Sequence, residues 1–461
     1  MAKFEINQYS ELVQSQQDFF FTNQTKSIPF RKEILQKLLR IFKENEDKLY
    51  DAIYTDFKKS KFEVFETELS LLFGELKLAI SSIDEWSQRE SVPTNLANLP
   101  ASSYIISEPL GVTLVIGAWN YPYLLSLQPL VSAIGAGNTV ILKPSEISPR
   151  SSAIMAQLIN ENFDAGLMYV LEGGIPESTA ILKQKFDKIF YTGSTAVGKI
   201  IYKAAAEHLT PVTLELGGKS PGFVLDDAKI KITAKRLVWG KFINAGQTCV
   251  APDYLMVDER IKDKLIIEIK KQITEIHGEN PQNSEALTRI INPHHFDRLL
   301  KLIDAKKVVI GGQTDATDNY IAPTVMDNVS FEDLVMQDEI FGPILPIISF
   351  SDLDWAIAQV RQRPKPLALY VFTESNKKRD RVLEGISFGG GAVNETLVQL
   401  ANHHLPFGGV GPSGTGNYHG KFGFECFSHK KAIHDKPTWF EPGLKYPPYT
   451  DFKFNILKKI L

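Results

Sequence analysis

Apolar and polar positions along this chain follow two different periods. Residues 27–45 begin with Ser27 and Pro29, and apolar side chains then recur every three or four residues, which predicts an amphipathic helix. The segment 111–118 (GVTLVIGA) is continuously apolar, as expected of a strand buried in a parallel sheet. Strands and helices alternate from here on, and the alternation predicts a doubly wound α/β fold.

The predicted elements form two blocks, and the strand–helix pattern restarts at about residue 222. A connector containing Pro and Asn, residues 91–100, precedes the first block of strands. Two successive blocks predict two α/β domains. Helices are predicted at 27–45, 62–88, 228–244 and 260–277, and strands at 103–107, 111–118, 139–142, 169–171, 188–191, 222–225, 254–257, 308–310, 368–372 and 386–393.

Composition excludes several classes of function. The chain has 461 residues, 43% hydrophobic and 23% charged, as in an ordinary globular protein. Its net charge of −3 argues against a nucleic-acid partner and against a polybasic membrane contact. The two cysteines, Cys249 and Cys426, are too few for a disulfide framework or for a zinc site built from thiolates. We therefore expect no metal site.

Neither an export signal nor a membrane span is expected. Residues 1–10 are polar and lack the apolar core of a signal peptide. The most apolar stretch, residues 112–142, is interrupted by Asn, Gln, Pro and Gly, so it predicts buried core rather than a transmembrane helix. Together with the scarcity of cysteine, these features predict a cytoplasmic protein.

Two polar segments follow directly after predicted strands, which is where ligands bind in α/β sheets. Asn120 follows the strand 111–118, where its side-chain amide can stabilise a developing oxyanion, although Asn-Tyr-Pro can also be a plain turn. Lys143 and Glu146 follow the strand 139–142. They can clamp the hydroxyls of a ribose, or they can be solvated charges ahead of a helix.

A glycine-rich segment from Gly193 to Gly198 lies between a predicted strand and a predicted helix. Glycines let the backbone approach a pyrophosphate, and the start of the next helix attracts its charge. The spacing is G-x-x-x-x-G rather than G-x-G-x-x-G, and no Gly-Lys-Ser/Thr follows, so the segment is not a P-loop. A turn that only starts a helix is the alternative interpretation.

Two further residues can carry covalent chemistry. Glu215 lies beside a Gly-Gly bend, and burial would raise its pKa toward that of a general base. Gly246 is expected to break the preceding helix and to place Cys249 on an exposed loop, where a thiolate is a strong nucleophile. An inert buried thiol is the alternative. Cys426 lies in an apolar, strand-like Phe-Glu-Cys-Phe setting, and we assign it no chemistry.

Two segments nearer the C-terminus add candidates. Glu339 and Phe341 combine a carboxylate with an aromatic ring that can pack near a nicotinamide ribose. The glycine-rich segment 405–411 suits either the lining of a substrate entrance or close packing.

The order and spacing of these segments resemble the aldehyde dehydrogenase superfamily. The resemblance runs from about Glu108 to His429, and seven motifs stand in the family's order although each alone is weak. The motifs are Trp119-Asn120-Tyr121-Pro122, Lys143-Pro144-Ser145-Glu146, Tyr191-Thr192-Gly193-Ser194, Glu215-Leu216-Gly217-Gly218-Lys219, Gly246-Gln247-Thr248-Cys249, Glu339-Ile340-Phe341-Gly342-Pro343 and Pro406-Phe407-Gly408-Gly409.

The resemblance implies oxidation of an aldehyde to its acid with NAD or NADP as cofactor. It implies that the Cys249 thiolate attacks the aldehyde and that Asn120, with the backbone N–H of Cys249, holds the oxyanion. Glu215 would then activate the water that hydrolyses the thioester, with Lys219 nearby as a further charge. The implied cofactor contacts are Trp119, Lys143, Glu146, Gly193, Ser194, Gly198, Glu339 and Phe341.

The C-terminal segments 414–421 and 427–431 resemble the class-3 branch of the superfamily. This resemblance implies a homodimer without a membrane span. It also implies a Rossmann-like dinucleotide-binding domain, a second α/β domain that carries the catalytic cysteine, and a small β bridging element. The expected boundaries are 1–84 and 108–214 for the first, 215–415 for the second, and 85–107 and 427–440 for the third.

Three other functions fit parts of the pattern. A CoA-acylating relative would form the same thioester, but Glu215 is useful only when water is the acceptor. A cysteine hydrolase would need a histidine beside Cys249 and would leave the nucleotide-site residues without a purpose. A non-catalytic protein on this fold would not need Cys249, yet all the candidate catalytic positions are filled.

Overall fold

A computed structural model describes residues 6–460, so the first five residues of the polar N-terminus and of the predicted segment 1–84 lie outside the described residues. The helices are α1 (Ile6–Phe21), α2 (Ile28–Glu44), α3 (Glu46–Phe57), α4 (Lys61–Val64), α5 (Ser70–Trp86), α6 (Pro122–Ala136), α7 (Pro149–Asn160), α8 (Ile175–Ile181), α9 (Thr195–Ala206), α10 (Ile230–Phe242), α11 (Lys262–His277), α12 (Pro293–Leu300), α13 (Leu353–Arg361), α14 (Asn376–Gly385), α15 (Gly420–Cys426) and α16 (Asp451–Ile460).

The strands are short and are distributed along most of the chain. They are β1 (Glu90–Val92), β2 (Ser102–Pro109), β3 (Val112–Ile116), β4 (Thr139–Lys143), β5 (Met168–Val170), β6 (Lys188–Thr192), β7 (Val212–Glu215), β8 (Pro221–Val224), β9 (Tyr254–Asp258), β10 (Val308–Ile310), β11 (Thr314–Asp315), β12 (Tyr320–Ile321), β13 (Thr324–Met326), β14 (Ile344–Phe350), β15 (Ala368–Phe372), β16 (Gly390–Val393), β17 (Gly414–Thr415) and β18 (Ser428–Asp435).

The first large sheet has the strand order β17-β7-β6-β3-β4-β5 and is parallel except at β17. From β3 the chain runs outward to β5 and then returns to the other side of β3 as β6, so the strand order reverses between β3 and β6. Such a reversal opens a crevice at the carboxyl ends of the two strands, where α/β proteins bind ligands. Apolar side chains of this sheet pack against α2, α3, α5, α6 and α7 on one face and against α1, α8 and α9 on the other.

The second large sheet has the order β10-β13-β14-β9-β8-β15-β16 and is parallel except at β10. Helices α12, α13 and α14 cover one face, and α10 and α11 cover the other. Both faces of each large sheet are therefore buried, which explains why their strands are apolar runs rather than alternating ones. The predicted α/β class with parallel sheets is confirmed.

A third, antiparallel sheet joins β1, β2 and β18. Its longest ladder pairs Pro109 with Ser428 at one end and Ser102 with Asp435 at the other. The two segments predicted to form a bridging element thus lie side by side, while the division into three domains stays a prediction. A two-stranded ladder, β11 with β12, completes the sheets of residues 6–460.

The structure differs from the predicted elements in several strands. Strands β7, β13 and β14 were not predicted, and β14 lies inside the second sheet. Pro346 removes one N–H from β14 and weakens its sequence signal. The strand predicted at 386–393 begins only at Gly390. A Cβ on Gly391 would lie 2.2 Å from the carbonyl oxygen of Leu369, so this strand needs glycine where a strand is usually β-branched.

The strand-like setting predicted for Cys426 is wrong, because Cys426 is the last residue of helix α15. The carboxylate of Glu75 accepts a hydrogen bond of 2.9 Å from the backbone N–H of Gly420 and so supports the start of this helix. Phe424, which is buried, packs the helix against the core. A four-residue apolar pattern cannot distinguish such a short buried helix from a strand.

Among residues 6–460, no helix is long and apolar enough to cross a membrane. In the same part of the chain, no group of three or more His, Cys, Asp or Glu side chains is arranged to hold a metal ion.

Candidate active site

Asn120 connects the loops of the two large sheets. It follows β3, is 3% exposed, and its side-chain Nδ2 donates a hydrogen bond of 3.0 Å to the carbonyl of Gln247. In return, the Asn244 side chain donates to the backbone carbonyl of Asn120 at 2.9 Å. A primary amide carries two N–H groups, so one N–H of Asn120 remains for a ligand.

The loop after helix α10 has an unusual backbone. The helix was predicted to reach residue 244 but ends at Phe242, and Asn244 and Ala245 adopt left-handed φ angles of 53° and 51°. Gly246 follows at φ 72°, and a Cβ there would lie 2.3 Å from the carbonyl oxygen of Gly342. Single left-handed residues are costly for non-glycine side chains, so surrounding contacts must hold this loop.

Gln247 supplies several of those contacts. Its side-chain Nε2 donates to the carbonyls of Asn244 and Arg289, both at 3.1 Å. Its Oε1 accepts from the backbone N–H of Ile291 at 3.0 Å. The side chain therefore ties the loop both to itself and to the neighbouring segment 289–291.

Cys249 lies in a turn and is half-buried among buried neighbours, so the expectation of an exposed loop is wrong. The cause is that the loop packs between the two sheets rather than projecting from them. Burial, helped by the charges of Glu339 and Glu215, raises the pKa of the Cys249 thiol to about 12. The backbone N–H groups of Cys249 and Val250 act in the opposite direction and favour the thiolate.

Glu215 ends strand β7 and is 3% exposed. Neither carboxyl oxygen has a hydrogen-bond partner among the described residues. Burial raises the pKa of this carboxyl well above its usual value. A buried carboxyl without partners is costly unless something else occupies its oxygens, so it is available to a water molecule or a ligand. Its influence on the pKa of Cys249 indicates that the two groups share one site.

Glu339 faces the bend that follows Glu215. A Cβ on Gly217 would lie 2.0 Å from a carboxyl oxygen of Glu339, so glycine is required for this approach. Burial, together with the charge of Asp253, raises the pKa of Glu339 to about 8. Lys219, which was expected near Glu215, instead pairs with Asp253 and donates to two backbone carbonyls of the segment before Glu339.

Trp119 and Phe341 meet across the two sheets. Their ring centroids are 5.4 Å apart in an edge-to-face arrangement, and the ring of His295 lies 5.2 Å from Trp119 on another side. Phe341 has a left-handed φ of 50°. Arg298 donates to the carbonyl of Ile340 at 2.7 Å and so fixes the segment that carries Glu339 and Phe341.

Lys143 and Glu146 lie together at the end of β4. Lys143 is 1% exposed and its Nζ is 3.6 Å from the carboxylate of Glu146, which is half exposed. Burial lowers the pKa of Lys143, while the nearby Glu146 charge raises it. The pair presents one cation and one carboxylate at the edge of the crevice between β3 and β6.

The segment after β6 behaves as a helix start. Ser194 caps α9 by accepting a hydrogen bond of 3.3 Å from the N–H of Val197. The N–H of Gly198 bonds to the carbonyl of Ser194 inside the helix, and a Cβ on Gly198 would lie 2.8 Å from Leu216. Gly198 thus permits close helix–strand packing, whereas the backbone at Gly193 lies in the loop at the crevice. The buried hydroxyl of Thr192 has no partner among residues 6–460.

The sequence analysis missed three buried glutamates that the N-terminal helices contribute. Glu63 accepts a hydrogen bond of 2.7 Å from the backbone N–H of Asn244 and one of 3.3 Å from the Thr288 hydroxyl. It therefore holds the left-handed turn just before Cys249. Glu75, described above at helix α15, is the second of the three. Acidic residues in an apolar helical stretch were the signal in the sequence, but it does not identify their partners.

Glu68, the third, supports the other side of the site. Its carboxylate pairs with the fully buried Lys59 at 2.9 Å and accepts from the N–H groups of Tyr123 and Leu124 at the start of α6. A carboxylate at a helix N-terminus satisfies free N–H groups and the helix dipole. Residues 65–69 form a π-helical segment, which brings Glu63 and Glu68 toward one side although they are five positions apart.

Comparison with known proteins gives one family. The model of the aldehyde dehydrogenase family matches residues 2–433 of this chain. A 4,4'-diaponeurosporen-aldehyde dehydrogenase of Staphylococcus aureus is 48% identical over 442 residues, which is 95% of this chain and 96% of the relative. A dimeric, NADP-preferring aldehyde dehydrogenase of Canis lupus familiaris is 44% identical over 96% of this chain and 98% of its own. A solved structure of the substrate-bound state of Staphylococcus aureus AldH superposes with a TM-score of 0.96, at 46% identity and 99% coverage of both chains.

Removing the Glu63 carboxylate should loosen the Cys249 loop. Glu63→Ala leaves the Asn244 N–H without an acceptor, so we expect a loss of about 1–3 kcal/mol in the free energy of unfolding and a lower kcat. Urea unfolding and steady-state kinetics measure the two effects. Glu63→Gln keeps an oxygen acceptor and should recover most of the kcat, and the exposed Glu66→Ala is the matched control. Equal behaviour of Glu63→Ala and Glu66→Ala would contradict this role.

The reactivity of Cys249 should depend on pH and on Glu339. Because the pKa of the thiol lies near 12, the thiolate fraction grows about tenfold per pH unit through the neutral range. Iodoacetamide alkylation of the cofactor-free protein, followed by peptide mass spectrometry, should rise in the same way. Glu339→Gln removes a charge that raises this pKa, so it should accelerate alkylation at a pH of about 9. A pH-independent rate would refute the protonated resting thiol.

Proposed function

The chain belongs to the aldehyde dehydrogenase family and oxidises an aldehyde to its carboxylic acid, and from this premise we propose that it does so through a covalent intermediate on Cys249. The proposal rests on one observation above the others. The buried Glu215, whose carboxyl oxygens have no partner among the described residues, shares a site with the only thiol on that loop. A base and a nucleophile together are what formation and hydrolysis of a thioester require.

Attack by Cys249 begins the reaction. The thiol loses its proton, and the backbone N–H groups of Cys249 and Val250 favour the resulting thiolate. The sulfur attacks the aldehyde carbon, and the carbonyl oxygen becomes an oxyanion. The second N–H of the Asn120 amide and the backbone N–H of Cys249 hold that oxyanion. Because Asn120 is fixed through Gln247, this donor needs no rearrangement when the charge develops.

Glu215 acts after the adduct has been oxidised to a thioester. Its raised pKa makes the carboxylate a stronger base than an exposed glutamate, so it can take a proton from water. The hydroxide then attacks the thioester carbon, the C–S bond breaks, and the acid leaves. The thiolate of Cys249 is restored. Because neither Glu215 oxygen has a hydrogen-bond partner among residues 6–460, both are free for that water.

The cofactor is NAD or NADP, and the residues at the reversed strand order fit it. The crevice between β3 and β6 offers the capped start of α9 and the hydroxyl of Thr192, which has no partner within the described part of the chain. When bound, the nicotinamide supplies the acceptor for the hydride that leaves the Cys249 adduct. The contacts we propose are Lys143 and Glu146 at the adenosine ribose, Trp119, Gly193 and Ser194 at the pyrophosphate, and Glu339 and Phe341 at the nicotinamide ribose. Gly198 supports the same loop through its packing.

We further propose a homodimer in a reducing compartment such as the cytoplasm. The relative from dog is named as dimeric, and in this chain the strand β18 has a free edge in the antiparallel sheet within the described residues. Both cysteines are free thiols, and the proposed chemistry needs the Cys249 thiol to stay reduced.

Replacing the proposed base should separate the two halves of the reaction. Glu215→Gln should release about one equivalent of NAD(P)H per active site in a burst and then stall, because thioester hydrolysis has lost its base. Stopped-flow absorbance of NAD(P)H follows both phases. Cys249→Ser should give neither burst nor turnover while the fold and cofactor binding persist. Glu207→Gln, which changes an exposed glutamate at the end of α9, is the control. Undiminished steady-state turnover of Glu215→Gln would remove Glu215 as the base.

The charge at Glu146 should influence the choice of cofactor. A carboxylate at the adenosine ribose accepts hydrogen bonds from a free 2'-hydroxyl and repels a 2'-phosphate. Glu146→Gln should therefore raise kcat/KM for NADP relative to NAD by about tenfold, which corresponds to about 1.4 kcal/mol. Kinetics with both cofactors at one ionic strength measure the ratio, and Glu172→Gln serves as a nearby charge control. An unchanged ratio would place Glu146 away from the ribose.

A further inference from the structure

The second cysteine belongs to a cluster that the proposed reaction does not use. Cys426 ends helix α15, and its Sγ lies 3.1 Å from the hydroxyl oxygen of Thr213 on strand β7. The same hydroxyl accepts a hydrogen bond of 2.7 Å from the Nζ of Lys188, the first residue of β6. One thiol, one hydroxyl and one amine therefore form a continuous hydrogen-bonded chain.

The hydrogen bonds that link Lys188, Thr213 and Cys426 are all donated toward the sulfur. A lysine ammonium has donors only, so Thr213 must accept from Lys188. The single proton of the Thr213 hydroxyl is then free to be donated to the sulfur of Cys426. Lys188 is also close enough to Cys426 for the sulfur to affect the pKa of the lysine. The sulfur therefore faces the hydroxyl of Thr213 and, beside it, the buried amine of Lys188.

Lys188 has an unusual charge environment. It is 5% exposed, and among the described residues it forms no ion pair with a carboxylate. Burial lowers the pKa of Lys188, and the nearby Cys426 opposes that effect. A buried ammonium without an anion is costly, so Lys188 can readily give a proton to a leaving group that forms beside it.

The other ionisable groups that face the cluster do not supply a negative charge to Lys188. Glu425, from the same helix, is engaged with Lys430 at 3.0 Å. Tyr418 is buried, and burial raises its pKa well above the usual value, so its phenol is neutral. Neither group therefore neutralises Lys188, and its proton stays available beside the sulfur.

A cavity of about 330 Å³ reaches this cluster. Lys188, Thr213 and Cys426 line its inner part, whereas Thr415, Gly416 and Asn417 on the rim are exposed to solvent. The volume is roughly that of ten water molecules in the liquid. A small polar reagent can therefore approach the sulfur from solvent without opening the fold.

We propose that Cys426 is a modification site at which a hydroperoxide oxidises the thiol to a sulfenic acid. The thiolate sulfur attacks one peroxide oxygen, an S–O bond forms and the O–O bond breaks. Sulfur loses two electrons and the peroxide gains them. The departing oxygen leaves as alkoxide or hydroxide and takes a proton from Lys188 or from water. The products are the sulfenic acid and an alcohol or water, and a free thiol can reverse the modification.

The test uses hydrogen peroxide on the full-length Cys249→Ser variant, so that Cys426 is the reacting thiol. Dimedone traps the sulfenic acid, and peptide mass spectrometry gives the rate. We expect the native protein to react at Cys426 faster than the same protein unfolded in urea. Lys188→Met removes the nearby proton donor for the departing oxygen and should slow the native rate about tenfold. Thr213→Val should slow it as well.

A control variant and a reference state keep the test decisive. Lys185→Met changes an exposed lysine on the same connection and should leave the rate unaltered. Comparison with each variant's own unfolded chain removes any difference in folding or in access. A native rate no faster than the unfolded rate, or no effect of Lys188→Met, would overturn the proposal. Because Cys249 is absent throughout, failure here leaves the proposed dehydrogenase mechanism untouched.

Discussion

The hydrogen bond from the Asn120 side chain to the Gln247 carbonyl joins the two large sheets at the place where the chemistry is proposed. One partner follows a strand of the first sheet, and the other belongs to the loop that precedes Cys249 in the second. With the return bond from the Asn244 side chain to the Asn120 carbonyl, that contact fixes the oxyanion donor relative to the nucleophile. Catalytic geometry tolerates little displacement, so the relative position of these loops governs every later step.

The surrounding structure stabilises this junction with buried charge. Glu63 holds the left-handed turn at Asn244, and Glu68 holds the start of α6, just beyond Asn120. Buried carboxylates are expensive unless they are fully bonded, and these two are bonded to backbone N–H groups and, for Glu68, to Lys59. Both come from the N-terminal helices, which contain no proposed catalytic residue. Their function is to place residues that lie far away in sequence.

The same burial that rigidifies the site also determines its acid–base properties. Cys249, Glu215 and Glu339 all have raised pKa values because low polarity disfavours their charged forms. The thiol is therefore protonated in the cofactor-free protein, and Glu215 is a better base than an exposed glutamate. At the second cysteine, burial acts instead on the neighbouring Lys188 and lowers the pKa of its ammonium. The two thiols thus differ in the charge that faces them.

Local sequence patterns determined the fold class and the identity of most candidate residues. Continuous apolar runs marked buried strands, and polar or glycine-rich segments directly after them marked the residues at the crevice, because strand ends in parallel sheets meet at one edge. Only the tertiary structure decided the burial of Cys249, the pairing of Lys219 with Asp253, the roles of Glu63 and Glu68, and the contact between Cys426 and Lys188. These depend on contacts between residues tens or hundreds of positions apart, and local spacing carries no information about which distant group a buried charge will meet.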